Sequence, residues 1–155
     1  DGTYDSYVFK FINISNGSNA TFQFNVSIDG GSNYNVAKTS TFIVAYHKED
    51  NAATTLGYDT GFDLAQGTGF QTLCYDIGND GDQSASGSMT LFNPSSTTFV
   101  KHFIARTTHY MYSSRAVDFY AAGYGNTTSA VNAVQFKMNS GNIDSGVIKL
   151  YGIGG

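Results

Sequence analysis

Alternation of apolar and polar residues recurs along this chain and constrains its fold more than any other feature. The clearest case is segment 21–28, where Phe22, Phe24, Val26 and Ile28 alternate with polar residues. Successive side chains of an extended strand point to opposite faces of a sheet, so this period predicts a strand with one buried face. Segment 98–109 is the longest run without Gly or Pro, and it too alternates without a sustained heptad, which favours a strand over a helix.

The same pattern predicts eight or nine strands with turn residues between them. Charged residues make up only 13% of the 155, whereas 11 Tyr, 12 Phe and 18 Gly suit strands joined by many turns. We therefore expect one all-β domain over residues 1–155, an antiparallel two-sheet β-sandwich of the jelly-roll kind. Segment 48–69 is the weakest and is counted apart: its candidates are one short strand near 56–59 and a helical turn near 62–66. The other predicted strands are 4–14, 21–28, 40–47, 70–77, 87–93, 98–109, 116–124, 130–138 and 146–153.

The last strand, 146–153, is apolar on both faces except for one lysine. Val147, Lys149 and Tyr151 share one face, and Ile148 and Leu150 share the other. A strand of this kind is typical of a position between two neighbours, where both faces are covered. We therefore expect the C-terminal strand to be inserted between earlier strands.

Charge and hydropathy argue against two classes of partner. The formal net charge is −4 with only eight Lys and Arg, so the sequence offers no basic stripe for phosphate groups. No apolar run approaches the ~20 residues of a membrane-spanning helix. We expect neither nucleic-acid binding nor membrane insertion. Because residue 1 is Asp, we also expect a processed chain or a domain of a longer protein.

Several residues suit chemical sites, and each has a plainer interpretation. Cys74 lies in an apolar run and is expected to be a buried hydrophobic side chain rather than a nucleophile. Asp76, Asp80 and Asp82 would offer oxygen ligands to calcium from a glycine-rich loop. Their spacing is not that of an EF-hand, so a solvated loop is favoured over a metal site.

The remaining titratable residues give no enzymatic motif. His47, His102 and His109 lack the short spacings of zinc ligands, which favours ordinary hydrogen-bonded histidines. Asp59 and Asp63 are candidates for the acid and base of glycan cleavage, although Asp residues in such loops usually form turns. We expect no cofactor and no catalytic residue.

Segment 107–115 is the best candidate for contact with a partner or receptor. His109, Tyr110, Tyr112 and Arg115 are of the types that are enriched at interfaces, and tyrosine rings also stack on sugars. The alternative is that the two tyrosines close the end of the fold with their hydroxyls in water. We predict a contact loop made by these four residues.

Four stretches carry a resemblance to a known group of proteins. The stretches are Tyr4 to Tyr7, Asp29-Gly30-Gly31, the Gly87 and Leu91 positions before Asn93-Pro94, and Ser140 to Gly146 leading into Ile148 to Gly152. They look like parts of the virion structural proteins of tailed bacteriophages, particularly marine ones, and the likeness covers nearly the whole chain. The resemblance implies a small jelly-roll module displayed on the virion, as the tip of a tail or capsid fibre or as a capsid decoration protein.

We therefore expect a non-enzymatic virion protein on the outer surface of the particle. The resemblance implies a homo-oligomer, with a homotrimer favoured, that binds other virion proteins and has a host surface glycan or protein as a further candidate partner. The alternative is a lectin-like carbohydrate-binding domain, and a hydrolase comes third.

Overall fold

The computed structural model describes residues 2–154, in which there are ten β-strands and no helix. The all-β prediction is confirmed, whereas the predicted number of strands, eight or nine, is wrong by at least one. The predicted helical turn at 62–66 is wrong, because these residues form a turn that leads to a bridge between Lys38 and Gly67. The strands are β1 (Ser6–Ser15), β2 (Ala20–Ser27), β3 (Lys38–Lys48), β4 (Thr54–Tyr58), β5 (Gln71–Ile77), β6 (Ala85–Phe92), β7 (Lys101–Met111), β8 (Arg115–Gly125), β9 (Ala133–Met138) and β10 (Ser145–Ile153).

All ten strands belong to one antiparallel hydrogen-bonded sheet with a branch at β7. Seven strands follow one another in the order β10-β1-β6-β7-β8-β3-β4, and we call them the seven-strand part. The strands β5-β2-β9 form the three-strand part. The two parts are linked where Ile77 of β5 pairs with Met111 of β7.

The core lies where aromatic side chains of the two parts meet. Phe11 of β1 contacts Phe22 of β2 at 5.1 Å between ring centroids, and Phe103 of β7 contacts Phe24 of β2 at 5.0 Å. Both pairs are edge to face, an arrangement that aromatic rings favour. Phe22, Phe24 and Val26 are buried, as their alternation predicts. The prediction that only one face of this strand is buried is wrong, because Asn25 and Ser27 on the other face are buried too and Ile28 is 41% exposed.

Two lysines lie inside the molecule and satisfy their ammonium groups with neutral oxygens. Lys38 Nζ donates to Asn25 Oδ1 at 2.6 Å and to the carbonyl of Val36 at 2.9 Å, and burial lowers the pKa of Lys38 to about 8. Lys101 Nζ donates to the carbonyl of Ser96 at 2.7 Å. These bonds fix the loops before β3 and β7, because a buried ammonium without acceptors would be strongly destabilising.

The C-terminal strand β10 contradicts its prediction. In the part of the chain that the structure describes, β10 pairs with β1 alone and forms one end of the seven-strand part. Every residue of β10 is exposed. The prediction that β10 is inserted between two neighbours is wrong, because β1 is the only strand within residues 2–154 that pairs with it.

Candidate contact surfaces

The predicted contact loop at 107–115 is mostly strand. β7 continues to Met111 and β8 begins at Arg115, so only residues 112–114 form the turn of a long hairpin. Ser114 closes this turn with a φ of 56°, and its carbonyl oxygen accepts a hydrogen bond from the Glu49 amide at 3.1 Å. The hairpin end is therefore held against the neighbouring turn between β3 and β4.

The four predicted contact residues do not share one surface. Tyr112 is 52% exposed at the turn, whereas Tyr110 is half-buried. The guanidinium of Arg115 lies 4.6 Å above the ring of Tyr46, and its Nε is buried. His109 points into the core, with 4% of its surface exposed, and this burial removes it from the predicted contact set.

His109 is an uncharged core residue at neutral pH. Its ring stacks on Phe119 at 5.3 Å, and burial lowers its pKa to about 4. It also lines a concavity of about 450 Å³ whose other walls are His47, Lys48, Glu49, Tyr110 and Ala116. Among residues 2–154, no group of three or more His, Cys, Asp or Glu side chains is arranged to hold a metal ion.

The other candidate chemical residues are Cys74 and the aspartates of two loops. Cys74 is fully buried, as predicted, and burial raises the pKa of its thiol to about 12, so the nucleophilic thiolate is scarce at neutral pH. Asp80 and Asp82 are exposed in their loop. Asp63 accepts a hydrogen bond from the hydroxyl of Tyr58 at 2.6 Å. Asp59 accepts a longer one, of 3.3 Å, from Tyr75.

The outward face of the seven-strand part carries large side chains in register, and we call it the outer face. Tyr58 lies opposite Ile43, Ile43 opposite Tyr120, and Tyr120 opposite Arg106 on four adjacent strands. Three of these four, Tyr58, Ile43 and Tyr120, are among the exposed large hydrophobic residues, and Leu56 beside them is 81% exposed. Sequence reasoning missed this face, although the same alternation that predicts the buried side also gives the positions that point outward.

An ion pair stands at the centre of the outer face. Arg106 binds the carboxylate of Asp118 through Nη2 at 2.7 Å and through Nε at 3.1 Å, and its guanidinium lies 4.7 Å above the ring of Tyr120. The fork geometry orients the guanidinium, which makes this cluster a more ordered recognition element than a lone surface arginine.

A shallow polar groove of about 430 Å³ begins beside this ion pair. Gly87 is one of its lining residues, and an added Cβ there would overlap the carbonyl oxygen of Arg106, so glycine allows β6 and β7 to pair closely at this point. Hydroxyls and charges line the groove, with the ring of Tyr120 nearby. The lining residues are Lys10, Ser86, Ser88, Arg106, Thr107, Thr108 and Asp118.

The β10 edge is the third candidate surface. Its exposed apolar side chains lie on both faces of the strand, and Leu150 stands 57% exposed at the mouth of an apolar groove of about 230 Å³. Tyr7, Phe9 and Val134 form part of the groove wall. The edge therefore combines unpaired backbone with apolar side chains, which is typical of an association surface.

Comparisons with known proteins give no match. No family model matches this chain, and neither a curated protein nor a solved structure matches it. Within residues 2–154 there is no helix of sufficient length and apolar character to cross a membrane. The resemblance to phage virion proteins therefore stays a prediction.

Proposed function

We propose that this chain is a non-enzymatic virion structural protein, an exposed fibre tip or capsid decoration module of the tailed-bacteriophage type. The observation that carries the proposal is the presence of large exposed side chains on two surfaces, the outer face and the β10 edge. Such surfaces are typical of proteins that work by contact with other copies, other structural proteins or a host surface.

We infer further that the two parts of the sheet are the two layers of a jelly-roll β-sandwich. Two observations support this arrangement. One residue pair, Ile77 with Met111, joins the parts, so they are free to diverge away from it. Aromatic rings from opposite parts meet in the core, as Phe9 and Phe136 do at 5.0 Å.

The physical properties of the surface suit a particle exterior. Few charges and many hydroxyl and amide groups give a surface that stays hydrated without strong long-range repulsion between copies. A homo-oligomer bound to other virion proteins is the expected state, with a host surface glycan or protein as the external partner.

The direct test is the position of the chain in an intact particle. An antibody against the purified domain, or a reconstruction of the particle, is expected to place this chain on the exterior in a copy number that follows the symmetry of a fibre or of the capsid. The matched control is an antibody against an internal virion protein. Particles that carry no copy of this chain on the exterior contradict the proposal.

A lectin-like carbohydrate-binding domain is the second candidate, and the groove beside Arg106 favours it. Sugar recognition combines hydrogen bonds to ring hydroxyls with an aromatic face. Asp118 lines this groove, and the ring of Tyr120 lies under the guanidinium of Arg106, which also lines it. Saturable binding on a glycan array is expected to be lost in Tyr120→Ala and retained in Tyr124→Ala, which lies on the same strand away from the groove. Absence of binding across the array contradicts this candidate.

The hairpin end gives a separate arm of the same experiment. If the sugar lies at the predicted contact residues instead, Tyr112→Ala abolishes binding, whereas Tyr120→Ala does not. Analysis of the glycan after incubation shows whether it stays intact, as a binding module requires.

A further inference from the structure

The edge of the sheet formed by β10 is longer than the other open edges and exposes more large apolar side chains. We propose that a second copy of this chain pairs with it along β10, antiparallel and about a two-fold axis at Leu150, so that the seven-strand part continues across both copies. This pairing specifies how copies would contact each other in the proposed homo-oligomer. It depends on no other part of the proposed function.

The length of the open edge is the first argument. β10 has nine residues, whereas the edge strands β4 and β9 have five and six. Proteins usually protect an edge by keeping it short or by adding proline or charged residues. β10 contains no proline and a single charge, Lys149. Its outward N–H and C=O groups therefore remain available to another strand.

The exposed side chains are the second argument. Val147, Ile148, Leu150, Tyr151 and Ile153 are each between 37% and 57% exposed. They occupy both faces of the strand, so a partner that contacts one face alone would leave the apolar side chains of the other face exposed to solvent. Continuation of the sheet by a second strand brings neighbours to both faces at once.

The register follows from the single charge. In a two-fold antiparallel pair one residue lies opposite itself, and a centre at Lys149 would place two ammonium groups face to face. A centre at Leu150 places Lys149 opposite Tyr151 of the second copy and Val147 opposite Ile153 of the second copy. Only the second register avoids the like charges and pairs apolar residues at its centre and ends. It forms about six to eight backbone hydrogen bonds between the copies.

The groove beneath β10 fits the same register. Leu150 stands at its mouth, next to Tyr7 and Phe9. With the axis at Leu150, the Leu150 side chain of the second copy lies directly opposite and covers the apolar opening. Both copies bury the same patch, as an isologous interface requires.

The first test is the solution mass of the purified chain. Light scattering is expected to give twice 16.6 kDa, with dissociation on dilution. Leu150→Lys should weaken the dimer by at least about tenfold, because it places like charges opposite each other. Leu56→Lys, at the more exposed position on β4, should leave the dimer intact. A chain that stays monomeric up to about 1 mM overturns the proposal, and so does a trimer, which a two-fold contact cannot build.

The second test fixes the register. Val147→Glu should weaken the dimer, and adding Ile153→Lys should restore it, because the two substituted positions meet only across the interface. Within one chain they are about 20 Å apart, so rescue cannot arise inside a copy. Failure of the double variant to recover, with normal folding by circular dichroism, overturns this register.

A disulfide gives independent evidence for the axis. Leu150→Cys should form a covalent dimer under mild oxidation, since residues directly opposite in an antiparallel pair have suitable separations. Lys149→Cys should not, and Cys74 is too buried to compete. The reverse result moves the axis and overturns the proposal. These measurements use purified protein, so a dimer that is absent from the particle exterior contradicts the virion function while leaving the pairing intact.

Discussion

β2 and β10 are both predicted strands, yet the structure gives them opposite surroundings. β2 alternates apolar and polar residues and lies between β5 and β9, with both Asn25 and Ser27 fully buried. β10 is apolar on both faces and is exposed over its whole length. A strand can therefore be recognised from its own residues, whereas the neighbours that the rest of the chain supplies decide whether it is central or peripheral.

Polar residues are tolerated in β2 because each has a partner. Asn25 Nδ2 donates to the carbonyl of Tyr34 at 2.6 Å, and Asn25 Oδ1 accepts from Lys38. Ser27 donates to Asp29 at 2.6 Å, and the hydrogen bonds from Ser27 and Asn33 lower the pKa of Asp29 to about 2. The burial of β2 therefore depends on partner residues in loops, and these partners cannot be predicted from the sequence of β2 alone.

The largest expected effect comes from the core side of this comparison. Phe24→Ala should lower the free energy of unfolding by about 3–5 kcal/mol, because it removes a buried ring packed on Phe103 and leaves a cavity. Phe99→Ala, which removes a ring that is mostly exposed, should change it by less than about 1 kcal/mol. Urea unfolding of both variants checks the difference, and equal losses would contradict a core centred on β2.

Acid should destabilise the protein through His109. Its pKa is about 4 in the folded state and about 6.5 when unfolded, so the unfolded chain binds the extra proton first. Stability is then fully present above pH 6.5 and is lost as the pH falls toward 4, by at most ~3 kcal/mol. The free energy of unfolding, measured across this pH range, should keep its full slope in the control His102→Gln, whose side chain lies on the outer face of the same strand. In His109→Phe much of that slope should be lost. If the slope is unchanged in His109→Phe, the pH dependence of stability comes from other titratable groups.

Loss of the hydrogen bonds that the Asn25 side chain of β2 makes should lower the free energy of unfolding slightly less. Asn25→Ala removes one of the two acceptors of the Lys38 ammonium and the amide donor to the Tyr34 carbonyl, which should cost about 2–3 kcal/mol. Gln135→Ala is the matched control, because Gln135 pairs with Asn25 across the strands but is exposed. Thermal unfolding distinguishes the two, and a neutral Asn25→Ala would show that the Lys38 ammonium finds other acceptors.

Local pattern predicted the strands well because each strand carries its own signal. Every observed strand begins and ends within three residues of its prediction, including β4 in the weakest segment. Sheet order was not predictable in this way, since pairings such as β1 with β10 join residues at opposite ends of the chain. The position of β10 was wrongly predicted for this reason. Apolar residues on both faces of a strand indicate that it is buried by neighbours, but they do not show whether those neighbours belong to the same chain.

The candidate site was only partly predictable for a related reason. Residue type drew attention to the hairpin end, where Tyr112 is exposed, but alternation within β7 turns His109 inward. Arg106, Asp118 and Tyr120 form a cluster only because β7 and β8 pair in one register, which places Arg106 opposite Tyr120. Their separation along the sequence gives no sign of that contact.

The smallest effect is expected at β10 and depends on protein concentration. In the monomer, Leu150→Ala should change the free energy of unfolding by no more than about 1 kcal/mol, since a side chain that is 57% exposed has less than half of its transfer free energy to lose. If two copies pair at β10, association stabilises the folded state, and raising the concentration should enlarge the difference between Leu150→Ala and the original chain. Leu56→Ala should show no such dependence. Unfolding midpoints across a concentration series measure this, and a constant small difference would mean that β10 is an ordinary exposed edge.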